Sequence, residues 1–383
     1  MTASRPHAVP PIAPAEYAGR LERLRAMMSA ARIDAVLLGA SESLRYFTGL
    51  VWHPSERLIG ALVLPDRLVY IVPGFERSRV ESLPHVDGDI AVWEEHEDAA
   101  ALVAHLAGPA GRVGLDDTLP LFAFYSLAAA LGAERVTDAA PLLRGLRLRK
   151  SPAEIAIIRD AMALTLEVHR RTHAIMRPGI RASEVTRFID AQHRELGASG
   201  GSSFCIVSFG RATALPHGAD GEQTLAAGDV ILVDTGCRLD GYHSDITRTY
   251  TLDEPSPEVA RIWAAERAAQ QAVFEAARIG APAGALDDAA RRIIEAAGLG
   301  PDYRLPGLPH RAGHGLGLEI HEPPYIVRGN ATLLEAGMCF SVEPMIVVPD
   351  AFGIRLEDHV YMTDEGPRWF TEPAKSPTEP FGA

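Results

Sequence analysis

Residues 229–249 read Asp229-Val-Ile-Leu-Val-Asp234-Thr-Gly236-Cys-Arg-Leu-Asp240-Gly241-Tyr-His-Ser-Asp245-Ile-Thr-Arg-Thr249. Asp240-Gly241 is a dipeptide of the kind that closes a two-residue hairpin. The flanking segments, 229–236 and 245–249, look like strands. A hairpin centred on that turn sets Asp234 and Asp245 opposite or diagonal to each other, roughly 5–8 Å apart at their Cβ atoms. Two bare carboxylates facing across a ladder repel, and a cation between them reverses the sign of the interaction. Taken alone, the pair is better explained by strand ends whose carboxylates point to water.

A second segment is Gly313-His314-Gly315-Leu316-Gly317-Leu318-Glu319-Ile320-His321-Glu322-Pro323. Glycine on both sides of His314 leaves little bulk beside its imidazole, as where backbone passes close to a ligand or metal. The glycines lack the Lys-Ser/Thr ending of a phosphate-cradling loop, so that reading is rejected. A hydrogen-bonded structural histidine is the ordinary alternative, and a second histidine seven residues on shifts the odds without deciding them. The third signal is Val342-Glu343-Pro344 with Arg355-Leu356-Glu357-Asp358, each in an apolar stretch typical of a core strand. Pro344 biases Glu343 toward extended geometry. A carboxylate there is costly to bury unpaired. Either Arg355 pairs with Glu357 or Asp358, or the carboxylates bind metal.

Together Asp234, Asp245, His314, Glu343 and Glu357 supply four negative charges and one neutral imidazole, which two divalent cations balance. Hard oxygen donors with one nitrogen suit Mn²⁺, with Co²⁺, Fe²⁺ or Zn²⁺ as alternatives. In such centres the ions lie ~3.5–4 Å apart and can share a hydroxide as nucleophile. The combination is far more specific than any of its parts.

Around this set the chain reads as two domains. Ser151, Pro152 and Glu154 form a helix start, with a side-chain cap, a proline at the first helical position and capping-box spacing. The boundary falls near residue 150. Before it, Leu21, Leu24 and Met28 give helical spacing over 16–31. A buried strand is expected over 34–38, a hairpin over 60–72 around Pro65-Asp66-Arg67, helices over 98–106 and 121–131, and a strand over 112–115. After the boundary, helices are expected from 151 to about 176 and over 182–196, 257–277 and 286–297, among several strands. The predicted layout is a disordered arm over 1–15, an α/β domain over 16–148, a catalytic domain over 149–375, and a loosely held proline-rich tail ending in residues 376–383.

Lys plus Arg total 37 against 50 Asp plus Glu, a net charge of −13. That acidity argues against nucleic acid and anionic membrane as partners. The longest apolar run, 119–133, is interrupted by Pro120, Ser126 and Gly132 and falls short of the ~20 residues a span requires. The arm has no apolar h-region, so no signal peptide is expected. Cys205, Cys237 and Cys339 are odd in number and widely spaced, and read as reduced thiols of a cytoplasmic protein.

The whole pattern resembles the pita-bread metallopeptidase family, which contains prolidase, aminopeptidase P and methionine aminopeptidase. The Asp234/Asp245 pair, the stretch 313–323 and the Glu343 and Glu357 motifs match that family's ligand motifs in order. The preceding domain is similar to the prolidase and creatinase branch. The resemblance implies an α/β N-terminal domain followed by an α+β pita-bread domain, and hydrolysis of Xaa-Pro bonds by a metal-bridging hydroxide. It implies that Asp234 binds one metal and His314 the other, that Asp245 and Glu357 bridge them, and that Glu343 acts as ligand and general base. His217, in Leu215-Pro216-His217-Gly218, matches the family's upstream catalytic histidine and would stabilise the oxyanion with His321. His310 would support the substrate.

Some prolidases place an arginine directly after the His-Glu-x-Pro motif, suited to a dipeptide's carboxylate. Here that position is Tyr325, and the nearest arginine is counted as Arg328. Both, with Arg355, are candidate substrate contacts, and both dipeptides and longer Xaa-Pro peptides stand as substrates. The resemblance also implies a homodimer, in which the loop with Trp52 and His53 can reach the partner's active site. The competing readings are a non-peptidase hydrolase or lyase of a small amino-acid-like metabolite on the same scaffold, and a non-catalytic binding module. Creatinases have lost the metal ligands, so full retention here counts against that branch.

Overall fold

The computed structural model describes residues 9–109, 111–216 and 218–381. The chain divides into two compact units, one of Ile12–Arg147 and one that begins at Leu148.

The first unit is built on a six-stranded mixed sheet. Its strands are β1 (Ala35–Gly39), β2 (Gly60–Val63), β3 (Leu68–Pro73), β4 (Asp89–Trp93), β5 (Val113–Leu115) and β6 (Val136–Asp138), in the order β4-β3-β2-β1-β5-β6. The hairpin around Pro65-Asp66-Arg67 pairs Val63 with Leu68. Leu37, Leu62, Ile71 and Val113 pack with Val103 and Leu127 from helices Ala99–Ala107 and Leu121–Leu131. Helix Pro14–Ala31 buries Leu21, Leu24 and Met28 as their spacing predicts, but starts inside the segment expected to be disordered. Helix Glu42–Thr48 and strands β4 and β6 were not foreseen. Each is only three to seven residues long, too short to establish a period.

The second unit opens on the predicted capping box. Ser151 Oγ accepts from the Glu154 amide, Glu154 Oε2 accepts from the Ser151 amide, and helix Pro152–Ile175 follows. Strands β7 (Ser202–Phe209), β8 (Ile231–Leu239), β9 (Tyr242–His243) and β10 (Ile246–Tyr250) form one antiparallel sheet with β8 central. Val168, Val185 and Ile189, from this helix and helix Ala182–Glu195, pack on its Val207, Ile231 and Val233. The second sheet holds β11 (Gly313–Gly315), β12 (Glu322–Ile326), β13 (Cys339–Val342), β16 (Asp358–Thr363) and β17 (Gly366–Trp369), in the order β12-β11-β13-β16-β17. Strands β14 (Met345–Val348) and β15 (Phe352–Arg355) form a separate hairpin. Helices Pro257–Ala276 and Ala283–Ala296 share a core with this half through Ile262, Val273, Leu286, Phe340, Ile354 and Val360.

The two sheets are joined where the backbones of Thr247 and Glu357 bridge, with the Glu357 amide 3.1 Å from the Thr247 carbonyl. The segment after Glu372, expected to be loose, is tied down as far as Phe381. Arg248 Nε donates to the Pro380 carbonyl at 2.8 Å, the Thr251 amide to that of Pro377, and Phe381 packs edge-on to His173. The cysteines are free thiols. No helix among the described residues is long and apolar enough to cross a membrane.

One buried pair fixes the start of the long helix to the histidine segment. Lys150 Nζ lies 2.7 Å from Glu322 Oε1, with both side chains nearly inaccessible. Removing one partner of such a pair costs about 3–5 kcal/mol, because the other charge stays buried. Lys150→Met is therefore expected to lower the calorimetric midpoint of the second unit by several degrees, with Lys150→Met/Glu322→Leu recovering part of it. An unchanged midpoint in the single variant would contradict this.

Candidate metal centre

The Asp240-Gly241 turn has φ of 47° and 90°, the left-handed backbone that a two-residue hairpin turn requires. It sets the register in which Asp234 lies opposite Thr247, so that Asp245, two residues before Thr247, is diagonal to Asp234. At Gly236 a Cβ would sit 1.8 Å from the Ser244 carbonyl oxygen, so the chain can close here only as glycine. Asp234 and Asp245 are both buried.

Glu357 is brought to them from the other sheet. Thr247 Oγ1 donates to its Oε2 at 2.6 Å, while Arg248, on the opposite face of β10, donates to the Glu357 carbonyl and to Asp358 Oδ1. Asp358 also accepts from Gln270 and Thr371, so it anchors the strand and is not part of the cavity. His314 arrives on β11, between glycines that have no room for a side chain. A Cβ at Gly313 would lie 2.1 Å from the Ser341 oxygen, and one at Gly315 would lie 2.2 Å from the Pro323 oxygen. His314 Nδ1 is 3.0 Å from the Gly315 carbonyl, an arrangement that favours the proton there and turns Nε2 to the cluster. Nε2 lies 3.1 Å from Glu343 Oε1 and 3.7 Å from Asp245 Oδ2. Ser341 Oγ accepts from the His314 amide and donates to Glu343 Oε1.

The result is a cavity of about 670 Å³ lined by all five expected ligands, with His310, His321 and Arg355. Ligand atoms of His314, Glu343 and Glu357 lie within 4.8 Å of one another, as do those of Asp245, His314 and His321. Asp234 Oδ1, Asp245 Oδ1 and Glu357 Oε1 are buried without a hydrogen-bond partner among the described residues. Burial raises Asp245 well above the usual carboxylate range, and the neighbouring Glu357 and Asp234 charges add to it. Glu357 is raised the same way, by burial and then by Glu343 and Asp234. For Glu343, burial opposes the charge, but the His314 imidazole outweighs it and holds the carboxyl low. Orphaned hard oxygens converging with one imidazole nitrogen are a donor set that fits divalent cations.

Arg355 does not form the pair with Glu357 or Asp358 that stood as the alternative to metal binding. Its guanidinium binds Asp234 Oδ2 at 2.5 Å and the Pro216 carbonyl at 3.1 Å, not Glu357 or Asp358, because Thr249 Oγ1 bonds its amide and carbonyl and fixes its strand against β10. Arg328 is exposed and committed to Asp288 and Asp302, so it does not line the cavity. His310 does line it, and burial lowers its pKa. The His321 ring sits edge-on to His314 with centroids 4.2 Å apart. Tyr325 lies beneath the guanidinium of Arg311, a cavity-lining residue that the sequence reading passed over. His359 was also missed. It shares a face with Glu357 by strand alternation, is pushed down to about 3 by burial, and groups with Asp245 and Glu357. His217 lies outside the described residues, and His53 is in an exposed loop of the first unit.

Buried acids converging on one histidine across two joined sheets define a metal-dependent hydrolase. Residues 156–364 match the family described as metallopeptidase family M24, and residues 20–149 match the creatinase/prolidase N-terminal domain. The chain belongs to metallopeptidase family M24. It is 32% identical over 363 residues to the Xaa-Pro dipeptidase of Lactobacillus helveticus, covering 93% of this chain and 97% of that one. The crystal structure of dipeptidase PepE from Mycobacterium ulcerans superposes with a TM-score of 0.90 at 32% identity, over 97% of this chain and 99% of that one. The Xaa-Pro dipeptidase from Bacillus anthracis gives 0.83 at 30% identity, over 96% and 100%. Membership implies divalent metal, and the Asp, Glu and His cluster is a group that could hold it.

Metal and proton compete for this cluster. In the metal-free protein, Asp245 and Glu357 favour the fold while protonated and lose that contribution as pH rises through their raised values. A cation replaces the proton and stabilises by mass action. Added Mn²⁺ is expected to raise the melting midpoint of chelator-stripped protein strongly at pH 8 and much less at pH 5, as read by scanning fluorimetry. Equal shifts at both pH values, or none, would contradict the competition.

Proposed function

We propose that the protein hydrolyses peptide bonds that precede proline, using two divalent cations held by Asp234, Asp245, His314, Glu343 and Glu357. The three buried carboxylate oxygens without partners among the described residues carry this reading, because cations are what would answer them. The name Xaa-Pro dipeptidase, borne by relatives that match almost the whole chain, supports the substrate class.

In this reading Asp234, Asp245, His314, Glu343 and Glu357 would hold the cations between them. Mn²⁺ is the first candidate, with Co²⁺, Fe²⁺ and Zn²⁺ behind it, because the donors are hard oxygens with a single nitrogen. When bound, the cations supply Lewis acidity for the scissile carbonyl and acidify water. Glu343, oriented by Ser341 Oγ, would take the proton of the attacking water and return it to the departing proline nitrogen. His321, with His217, donates to the carbonyl oxygen as negative charge develops there. Burial raises the pKa of Asp234, and Arg355 opposes that rise and holds the carboxylate in place. The amide before proline has no N–H to hold, so recognition of the ring falls to apolar wall residues, among them Phe204, Ile206, Pro216 and Ile320.

The reading extends to a cytoplasmic homodimer, in which the loop with Trp52 and His53 would serve the partner's site. A solution mass near 41.2 kDa, that of one chain, would contradict the dimer.

The test of function is release of proline from Xaa-Pro dipeptides and tripeptides by chelator-stripped protein, with and without Mn²⁺. Metal-dependent cleavage is expected, and two uncut substrates with metal present would sink the proposal. Asp245→Asn is expected to lose metal and rate together. His321→Ala is expected to keep its metal and lose about 10²-fold or more in rate, the scale of one oxyanion donor. Normal metal content and rate in Asp245→Asn would remove it from the ligand set.

A further inference from the structure

We infer that Arg311, held over the ring of Tyr325, binds the free C-terminal carboxylate of the substrate, which makes this site selective for dipeptides. The inference rests on the Xaa-Pro reading above and names the substrate class within it.

Arg311 enters the cavity just before β11 and lines it together with the acidic cluster. Tyr325 is on the neighbouring strand β12, in a pairing that sets Gly313 against Ile326. The guanidinium carbon of Arg311 lies 4.5 Å from the centroid of the Tyr325 ring, and both side chains are half-buried. A guanidinium over an aromatic face is held there by a cation–π contact that uses none of its five N–H donors. Arg311 makes no ion pair or side-chain hydrogen bond among the described residues.

The other two candidate arginines are already engaged. Arg355 is bound to Asp234 in the floor of the cavity, and Arg328 faces Asp288 and Asp302 at the surface. Arg311 is therefore the cavity guanidinium with unused donors, in the fork geometry that fits a carboxylate. The charge of the cavity points the same way. Four carboxylates are balanced by two divalent cations, and the two arginines then leave an excess of positive charge. A substrate carboxylate relieves it.

Substrate length follows from reach. In an Xaa-Pro dipeptide the carboxylate carbon lies about 3 Å from the scissile carbonyl carbon, three covalent bonds along the chain with the proline φ fixed near −65°. In a longer peptide the same position is a neutral amide, and the chain has to continue past Arg311. Such a substrate leaves the half-buried guanidinium without a counter-charge.

The experiment compares kcat and KM of the Mn²⁺-loaded enzyme on Ala-Pro, Ala-Pro-amide and Ala-Pro-Ala, for wild type, Arg311→Gln and Arg311→Lys. Wild type is expected to favour the dipeptide over the amide and the tripeptide by about 10- to 100-fold in kcat/KM, mainly through KM, the range of one charge-assisted pair. Arg311→Gln should collapse that ratio toward one, and Arg311→Lys, which keeps the charge but not the fork, should restore part of it. Equal use of dipeptide and amide by wild type would overturn the inference while leaving the Xaa-Pro reading intact. So would an Arg311→Gln variant that keeps the ratio. No cleavage of any of the three substrates would overturn the Xaa-Pro reading, and the inference with it.

Discussion

Four carboxylates brought together in the interior of one unit are the constraint that the rest of the structure answers. Their mutual repulsion and lost hydration would each cost several kcal/mol if left uncompensated. Within the protein, the fixed cation against them is Arg355, bound to Asp234, while Glu343 leans on His314 and Glu357 on the hydroxyl of Thr247. Asp245 and Glu357 retain oxygens that none of the described residues satisfies. A fold that holds such a cluster in place without its cations must spend rigidity to do so.

That rigidity is visible one layer out. Thr247 and Thr249 fasten β10 to the segment from Arg355 to Glu357, through both backbone and hydroxyl contacts. On the other face of β10, fully buried Arg248 holds Asp358 and, through Pro380, the C-terminal segment. Alternation along the strands therefore does two jobs. Asp234, Asp245 and Glu357 point to the cavity, while Arg248 and Asp358 clamp the two sheets behind it. Glycines at 313 and 315 let β11 pass within contact distance of its neighbours, which places the His314 ring against Glu343.

The features legible in the sequence were those set by local chemistry. The Asp240-Gly241 turn fixed the hairpin register and with it the diagonal of Asp234 and Asp245. Ser151, Pro152 and Glu154 marked the long helix to the residue. What stayed hidden depended on partners far away in the chain. Arg355 stands two residues before Glu357, yet it pairs with Asp234, 121 positions distant, because strand packing and not proximity in sequence orients its side chain. Arg311 lies two residues before the histidine segment and was overshadowed by the glycines and histidines that follow, and its contact with the Tyr325 ring needs the β11–β12 pairing. The proline-rich end looked loose by composition, yet Arg248 and Arg267 capture its carbonyls. Strand alternation from Glu357 to His359 was a signal available in the sequence.

The central claim is that the cluster is a two-cation site. Anomalous scattering from crystals grown with Mn²⁺ tests it most directly. The account predicts two peaks ~3.5–4 Å apart, one beside Asp234 and the other beside His314 and Glu343, with Asp245 and Glu357 between them. A single peak remote from these carboxylates, or none at saturating metal, would contradict it.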